Sequence, residues 1–234
     1  ILSQKNIFCF FKSFDTFYNS AIIQFVKTNQ SDLIIQFQIY MIYERRVIMD
    51  KNLFAVNPPM GWNSWDCYGA SVTEEDLIRN ADYMAEHLKP YGWEYVVCDI
   101  QWSEPTADST AYHAFAELCM DEYGRLMPSP NRFPSAADGK GFKPIADYIH
   151  SKGLKFGIHI MRGIPRQAVA KNVPIKGTDV HARDIAHTAS ICAWNSDMYG
   201  LNPVAVGAQA YYDSLFELYA SWGVDFVKVD DICV

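Results

Sequence analysis

The sequence has little that would point to nucleic-acid binding or to insertion in a membrane. Lys and Arg number 20 against 27 Asp and Glu, so the net charge of −7 predicts no surface for nucleic acid or for an anionic membrane. The longest mainly apolar stretch, residues 33–47, contains Gln36, Gln38 and the charged run 44–46, which argues against a transmembrane helix there. The 234 residues, 50% of them hydrophobic, are enough for one sizeable core or for part of a larger one.

Motifs for metals, disulfides and dinucleotides are missing as well. None of the six cysteines forms a CxxC pair or lies at zinc-finger spacing from a histidine, so we expect mostly buried free thiols. His113, His181, Asp184 and His187 lack a ligand spacing such as HExxH, so we predict no metal site and no cofactor. No GxGxxG follows the early apolar runs, which counts against a dinucleotide-binding fold. The cysteines are Cys9, Cys67, Cys98, Cys119, Cys192 and Cys233.

The first 48 residues differ in composition from the rest of the chain. They contain no Gly and no Pro, are rich in Phe, Ile, Gln, Asn and Lys, and have few recognisable helix caps or turns. They begin with Ile1, have scattered lysines and lack a small-residue cleavage site after an apolar core, so no signal peptide is expected there. We therefore expect residues 1–48 to be an atypical extension that is not native to the protein, with Met49 as a natural start. A genuine helical or strand-like leader is the alternative.

After Met49, three helix-like segments are each followed by a short apolar run. In the first segment, Ser71 or Thr73 is placed to cap the N-terminus, and Gly92 follows the predicted end. Runs that are apolar on both faces and alternate with helices are typical of parallel strands covered by helices. The predicted helices span about residues 71–92, 141–153 and 206–223, and the predicted strands 93–102, 154–160 and 224–230.

Each predicted strand ends near a polar residue, namely Asp99, His159 or Asp230. Two architectures accommodate a parallel sheet covered by helices, an open doubly wound sheet and a (β/α)8 TIM barrel. Because barrel enzymes carry their catalytic groups at the carboxyl ends of the strands, the pattern favours the α/β fold of a (β/α)8 barrel.

Several motifs of this sequence resemble glycoside hydrolase family 27, the α-galactosidase or melibiase family. The resemblance runs from about residue 57 to 234 and implies a carbohydrate substrate and the catalytic (β/α)8 barrel of a retaining glycosidase. Residues 49–234 then represent about the first four β/α units, the N-terminal half of that barrel, and the acid/base carboxylate belongs to a later strand. The motifs are PPMGWNSWD (58–66), DEYGRLMPSPNRFPS (121–135), IADYIHSKGLKFGIH (145–159) and WGVDFVKVDD (222–231), with the carboxylate-ended strand before Trp102.

The resemblance also implies roles for five residues. In the family's Lys-x-Asp motif, Asp230 is the position of the nucleophile that forms the covalent intermediate, and Lys228 is a cation that binds sugar hydroxyls. Trp65 corresponds to the second Trp of MGWxxW, which lines the sugar site. Asp99 corresponds to an aspartate that takes sugar hydroxyls, and His159 stands where a Tyr is usual.

The residues themselves support part of this assignment. Lys228 and Asp230 are two apart on a predicted strand and so share one face, where a buried lysine needs Asp230 or a bound sugar as its partner. A purely structural Lys–Asp pair is the alternative. Asp231 is expected on the opposite face, supporting a loop or capping a helix. Arg162 is placed to reach either a substrate or a carboxylate, while Trp102 and Asp66 are weaker candidates for the site.

The sequence also departs from the family pattern. Asp99 is followed by Ile100, where members specific for galactose often have a second aspartate, so a β-L-arabinopyranosidase is the alternative to an α-galactosidase. A truncated, inactive product that lacks the acid/base is a further alternative. Ile232 replaces the usual cysteine after the nucleophile, and the family's active-site disulfide is therefore not expected. No export signal follows Met49, which favours a cytoplasmic location over a secreted or periplasmic one, and the oligomeric state stays open.

Overall fold

The computed structural model describes residues 8–9, 56–108 and 111–232. The chain divides into two compact units, residues 1–10 with 59–234, and residues 11–58. The second unit lies almost wholly outside the described residues, so the fold given below is that of the first. The expectation that residues 1–48 form an atypical extension likewise falls outside the described residues, except for Phe8–Cys9.

The main sheet is parallel throughout, as the alternation of helices and apolar runs predicts. It contains the strands β1 (Phe8–Cys9), β2 (Gly61–Asn63), β3 (Tyr95–Cys98), β4 (Lys155–Met161) and β8 (Phe226–Asp230). Their spatial order is β1-β8-β4-β3-β2, and every neighbouring pair runs in the same direction. Strands β2, β3, β4 and β8 lie side by side in chain order, and β1, the first in the chain, pairs with β8 at the far edge.

The three helices predicted between these strands are present. The six α-helices of the described residues are α1 (Trp65–Tyr68), α2 (Glu74–Tyr83), α3 (Lys143–Ser151), α4 (Arg166–Lys171), α5 (Ala182–Ile185) and α6 (Ala208–Trp222). A π-helical turn, Met84–Leu88, continues α2, and 3-10 turns lie at Gly69–Ser71, Lys89–Tyr91 and Pro134–Ala136.

Helix α2 begins with a capping box. Thr73 Oγ1 accepts a hydrogen bond from the backbone N–H of Asp76 (3.3 Å), and the Asp76 carboxylate accepts one from the N–H of Thr73 (3.0 Å). Leu77 and Ala81 form the buried stripe of the helix. Of the two N-cap residues predicted from the sequence, Thr73 is therefore the one that caps α2.

A second sheet, which the sequence did not predict, lies between β4 and α6. It is antiparallel in the order β5-β7-β6, with β5 at Ile164–Pro165, β6 at Ala186–Ile191 and β7 at Met198–Leu201. Strand β6 is mostly exposed and has no apolar alternation, so hydrophobic periodicity gave no signal for it. At Gly163, with φ of +91°, a Cβ atom would lie 1.8 Å from the Tyr199 carbonyl oxygen, so only glycine allows the approach to β7.

The core lies between the main sheet and its helices. Trp102 packs edge-on against Phe142 (5.3 Å between ring centroids) and Trp222 (6.5 Å). The expectation of buried thiols is met by Cys98 and Cys192, whereas Cys119 is half-buried and Cys67 is exposed. Among the described residues, no helix is both long and apolar enough to span a membrane.

Candidate active site

The polar residues that end the parallel strands meet at one edge of the sheet. Asn63 closes β2, Asp99 follows β3, and Asp230 closes β8. In the register of the sheet, His159 on β4 lies beside Lys228 on β8. Because parallel strands present their carboxyl ends on the same side, residues far apart in sequence form one polar group there.

Asp99 is the most buried carboxylate of this group, with 2% of its surface exposed. Its Oδ2 accepts hydrogen bonds from Asn63 Nδ2 (2.5 Å) and Lys228 Nζ (2.8 Å), and its Oδ1 from the backbone N–H of Ile100 (2.6 Å). Its own N–H donates to Ser64 Oγ (2.9 Å). Four neighbours therefore fix its orientation, and a buried carboxylate needs such partners.

The charge of Asp99 is stabilised despite its burial. Burial raises the pKa of this carboxyl, but His159, the Lys228 ammonium and the N–H donors of Ile100 and Asn63 lower it by more, so the net shift of the pKa is downward. Asp99 is thus an ionised hydrogen-bond acceptor at neutral pH.

Lys228 lies at the pocket with 41% of its side chain exposed, which is less buried than the sequence predicted. The sequence predicted Asp230 or a bound sugar as the partner of this lysine, whereas its ammonium contacts the Asp99 carboxylate, 129 residues away. A lysine ammonium has three N–H donors, and Lys228 lines the pocket, so donors beyond the one bonded to Asp99 are available to a ligand.

Asp230 presents a half-exposed carboxylate, with 42% of the side chain accessible. Its Oδ1 accepts a hydrogen bond from the N–H of Asp231 (2.9 Å), and its Oδ2 lies 3.5 Å from Nε2 of His159. His159 is 2% exposed, and this nitrogen has no hydrogen-bond partner among the described residues. The His159 imidazole, followed by the N–H of Asp231 and the charge of Lys228, outweighs burial and lowers the pKa of Asp230 to about 2.

The lowered pKa of Asp230 predicts a pH effect on stability. Since the folded pKa is about 2 and the ordinary value is 3.8, ionised Asp230 stabilises the fold fully above pH 3.8, and this contribution is lost as the pH falls toward 2. Urea unfolding of wild type and Asp230→Asn between pH 2 and pH 6 measures it. The stability difference between the two should be constant above about pH 4 and shift against the wild type below that value. A difference that does not change with pH would contradict the assigned pKa.

A pocket of about 240 Å³ opens beside these residues. Four of the five residues predicted for the site line it, whereas His159 lies behind Asp230 and does not. The lining side chains are Trp65, Asp99, Ile100, Tyr112, Trp194, Lys228 and Asp230.

Two aromatic side chains of the pocket, Tyr112 and Trp194, were missed by the sequence analysis. The Tyr112 ring stacks on Trp65 (5.7 Å between centroids, 24° between planes) and contacts the Trp194 ring at 5.5 Å. Burial and the nearby carboxylates of Asp99 and Asp230 raise the pKa of Tyr112 to about 12, so its phenol stays neutral. Both residues lie outside the recognised motifs and outside any periodic segment. The sequence signal for them is the high aromatic content of the chain, 15%, which does not identify individual residues.

The remaining candidates lie outside the pocket. Arg162 reaches a carboxylate, because Nη2 lies 3.1 Å from Asp231 Oδ2 and Nε donates to the Asp231 carbonyl (2.6 Å). Asp231 is thus bonded to the loop that follows β4 and does not line the pocket, while the helix or loop that it was predicted to support lies outside the described residues. Trp102 is buried in the core and donates to the His159 carbonyl (2.7 Å), and Asp66 is exposed at the start of α1. Within the described ranges, no group of three or more His, Cys, Asp or Glu side chains is arranged to hold a metal ion.

Comparison with known proteins identifies the chain's relatives. The melibiase family described as alpha galactosidase A matches residues 57–205. The alpha-galactosidase of Coffea arabica is 32% identical over 190 residues, covering 81% of this chain and 36% of that protein. The alpha-galactosidase of Cyamopsis tetragonoloba is 30% identical, with coverage of 81% and 34%. The chain therefore spans about a third of the curated relatives it matches.

A solved structure is similar at higher identity. It is that of a variant β-L-arabinopyranosidase of glycoside hydrolase family 27 from Geobacillus stearothermophilus, in complex with arabinose. It is 70% identical, with a TM-score of 0.78, and the match covers 79% of this chain and 43% of that one. The family match over residues 57–205, the parallel sheet and the polar group at its carboxyl edge agree, and the chain belongs to the alpha-galactosidase A family of glycosidases, glycoside hydrolase family 27.

Proposed function

We propose that this chain is the N-terminal half of the (β/α)8 barrel of a retaining glycoside hydrolase, with Asp230 as its nucleophile. The observation that carries the proposal is the state of Asp230. Its carboxylate is ionised, half-exposed and open to a pocket with an aromatic wall. A nucleophilic carboxylate must be ionised and accessible to the anomeric carbon of a sugar.

In the proposed reaction an oxygen of Asp230 attacks the anomeric carbon. A glycosyl ester bond forms as the bond to the leaving-group oxygen breaks, and that oxygen takes a proton from a second carboxyl group. Water, deprotonated by the same group, then cleaves the ester and releases the sugar. Because the chain spans about a third of its curated relatives, we place the second carboxyl group on a later strand of the complete barrel.

The other side chains of the pocket suit the binding of a sugar. Lys228 and Asp99 offer a donor and an acceptor 2.8 Å apart, which matches neighbouring sugar hydroxyls. Trp65 offers an apolar ring face to the CH face of a pyranose. His159 is a positioning residue, since it is buried and faces Asp230 rather than the pocket.

We further propose that the sugar is β-L-arabinopyranose rather than α-D-galactose, which the motifs alone put first. These sugars differ in the hydroxymethyl arm, which arabinopyranose lacks. Ile100 is 4% exposed, lines the pocket next to Asp99 and offers no hydrogen bond to a hydroxyl. A hydroxymethyl group brought against Ile100 would lose water without gaining a partner, at a cost of about 1–3 kcal/mol. The 70% identity to a β-L-arabinopyranosidase favours the same choice.

The test is hydrolysis of p-nitrophenyl β-L-arabinopyranoside and p-nitrophenyl α-D-galactopyranoside by the protein of the complete reading frame. We expect release of p-nitrophenol from both, with a higher kcat/KM for the arabinopyranoside. Because we place the second carboxyl group on a later strand, residues 1–234 alone are expected to release none. A folded complete protein that cleaves neither glycoside would contradict the proposed glycosidase. A higher kcat/KM for the galactoside would contradict the choice of arabinopyranose and favour an α-galactosidase.

The choice of sugar predicts the effect of Ile100→Asp. A carboxylate at this position offers the hydroxymethyl hydroxyl an acceptor, so the ratio of kcat/KM for the galactoside to that for the arabinopyranoside should rise about tenfold or more. Taking the ratio removes any change in the fraction of folded protein. Ile100→Leu keeps the apolar surface and should leave the ratio within about twofold of the wild type. A ratio that Ile100→Asp leaves unchanged would show that residue 100 does not select the sugar.

A further inference from the structure

Three aromatic rings form a row along the wall of the pocket. Trp65 stacks on Tyr112, and Tyr112 in turn contacts Trp194, with centroids 5.7 Å and 5.5 Å apart. Trp65 and Tyr112 are half-buried, whereas Trp194 is 45% exposed. All three rings line the pocket, and Trp194 is the most exposed of them, so much of its large apolar ring stays in water.

The backbone that carries Trp194 is anchored by buried polar groups. Asn195 is 2% exposed and Asp197 is 8% exposed. The Asn195 side chain accepts from the N–H of Asp197 (2.8 Å) and donates to its carboxylate (3.2 Å), and Gln101 Nε2 donates to the same carboxylate (3.1 Å). Since Gln101 follows β3 closely, the Trp194 loop is tied to the strand end that also holds Asp99.

A second tie joins this loop to the segment that carries Tyr112. The N–H of Phe115 donates to Ser196 Oγ (2.6 Å), and the guanidinium of Arg166 covers the ring of Phe115 at 5.4 Å. The rings of Tyr112 and Trp194 are therefore presented together on two loops that hold each other. An exposed indole on an anchored loop at a pocket mouth is typical of a binding surface, because its ring loses little conformational freedom on contact.

The proposed chemistry determines what would lie against Trp194. In a double displacement the leaving group departs from the face of the anomeric carbon opposite the attacking carboxylate. The leaving group therefore extends away from Asp230, and Trp194, the most exposed aromatic side chain that lines the pocket, is the ring we place against it. A ring with a flat apolar face, either an aryl group or a second pyranose, is the chemistry that stacks on an indole.

We propose that Trp194, supported by Tyr112, is the platform for the leaving group, and that the enzyme prefers glycosides whose leaving group carries such a ring. This inference rests on the proposed function. It assigns to Trp194 a specificity for the part of the substrate that is released, separate from the recognition of the sugar by Asp99 and Lys228.

The experiment compares methyl, phenyl and disaccharide β-L-arabinopyranosides in wild type, Trp194→Ala and Trp194→Phe, with released arabinose measured for all three. For Trp194→Ala, kcat/KM for the ring-bearing glycosides should fall about tenfold relative to that for the methyl glycoside. Trp194→Phe should recover most of the loss. Comparing variants on the same substrates cancels the different acidities of the leaving groups. A loss for only one of the ring-bearing glycosides identifies which ring the platform accepts.

A matched control is Tyr91→Ala, because Tyr91 is 76% exposed but precedes β3, at the opposite edge of the sheet. It should leave all three values unchanged. Equal losses for the methyl and the ring-bearing glycosides in Trp194→Ala, or no loss for either, would overturn the proposal. A wild type that cleaves none of the glycosides contradicts the proposed function instead.

In that case, calorimetric binding of the phenyl and methyl glycosides tests the platform. The platform is refuted if Trp194→Ala weakens the binding of neither glycoside, or of both equally.

Discussion

Replacement of Asp230 by Asn is expected to lower kcat/KM by at least about a thousandfold, because the amide cannot form the glycosyl ester that divides the reaction into two easier steps. The substitution is nearly isosteric, and the side chain is 42% exposed, so the variant should fold. Release of p-nitrophenol from the arabinopyranoside measures the loss, and circular dichroism confirms the fold. Asp66→Asn is the matched control, since Asp66 is an exposed carboxylate that does not line the pocket. It should retain activity within about twofold of the wild type.

The proposed role of Asp230 as nucleophile has a sharper signature than loss of rate. In Asp230→Gly, azide can enter the space of the missing carboxylate and attack the same face of the sugar. The product should be a glycosyl azide of the opposite anomeric configuration to the substrate, whereas the wild type should release sugar of the same configuration. Proton NMR of the first product distinguishes these outcomes. Inversion by the wild type, or more than about a tenth of the activity in Asp230→Asn, would contradict covalent catalysis by Asp230.

Arg132→Met is expected to lower the free energy of unfolding by about 3 kcal/mol or more, because it strips several buried carbonyls of their donor. Nη1 of Arg132 donates to the carbonyls of Gln101 (2.8 Å) and Glu104 (3.0 Å), and Nη2 to those of Ala70 and Val72 (2.7 Å for Val72). Arg132 is 7% exposed, so water does not readily replace it. Urea denaturation of wild type and variant measures the difference.

The control for Arg132→Met is an arginine whose ion pair lies at the protein surface. Arg79 pairs with Asp76 at 2.8 Å, and 62% of its side chain is exposed. Arg79→Met should therefore change the free energy of unfolding by less than about 1 kcal/mol. If the two variants are equally stable, the carbonyls around Arg132 have other partners, and its role in joining the loops after β2 and β3 is refuted.

The strands and helices that repeat could be predicted because their apolar residues follow a regular spacing. Strands β3, β4 and β8 lie inside the predicted runs or within one residue of them, and α6 lies inside 206–223. Strand β2 was missed because it has only three residues, none of them fully buried. Its place depends on a tertiary contact, since a Cβ at Gly61 would lie 2.3 Å from the Tyr95 carbonyl oxygen.

The pocket residues that could be predicted lie in motifs or at strand ends, and those that were missed lie on loops that contact each other. Asp99 and Asp230 could be found because each ends an apolar run. The contact of Tyr112 with Trp194 depends on a hydrogen bond between Phe115 and Ser196, 81 residues apart, and no local pattern encodes it. The partner of Lys228 was not anticipated for a similar reason, because it depends on which strands lie side by side.

The bond between Lys228 and Asp99 also has a consequence for the order of folding. The two residues are 129 positions apart and lie at strands on either side of β4, so the contact carries the closure entropy of a long loop and is expected to form late. Until β8 docks, Asp99 lacks its cation. A ligand that contacts both the Lys228 ammonium and the Asp99 carboxylate requires β8 to be paired with β4, and such a ligand would stabilise the paired state selectively.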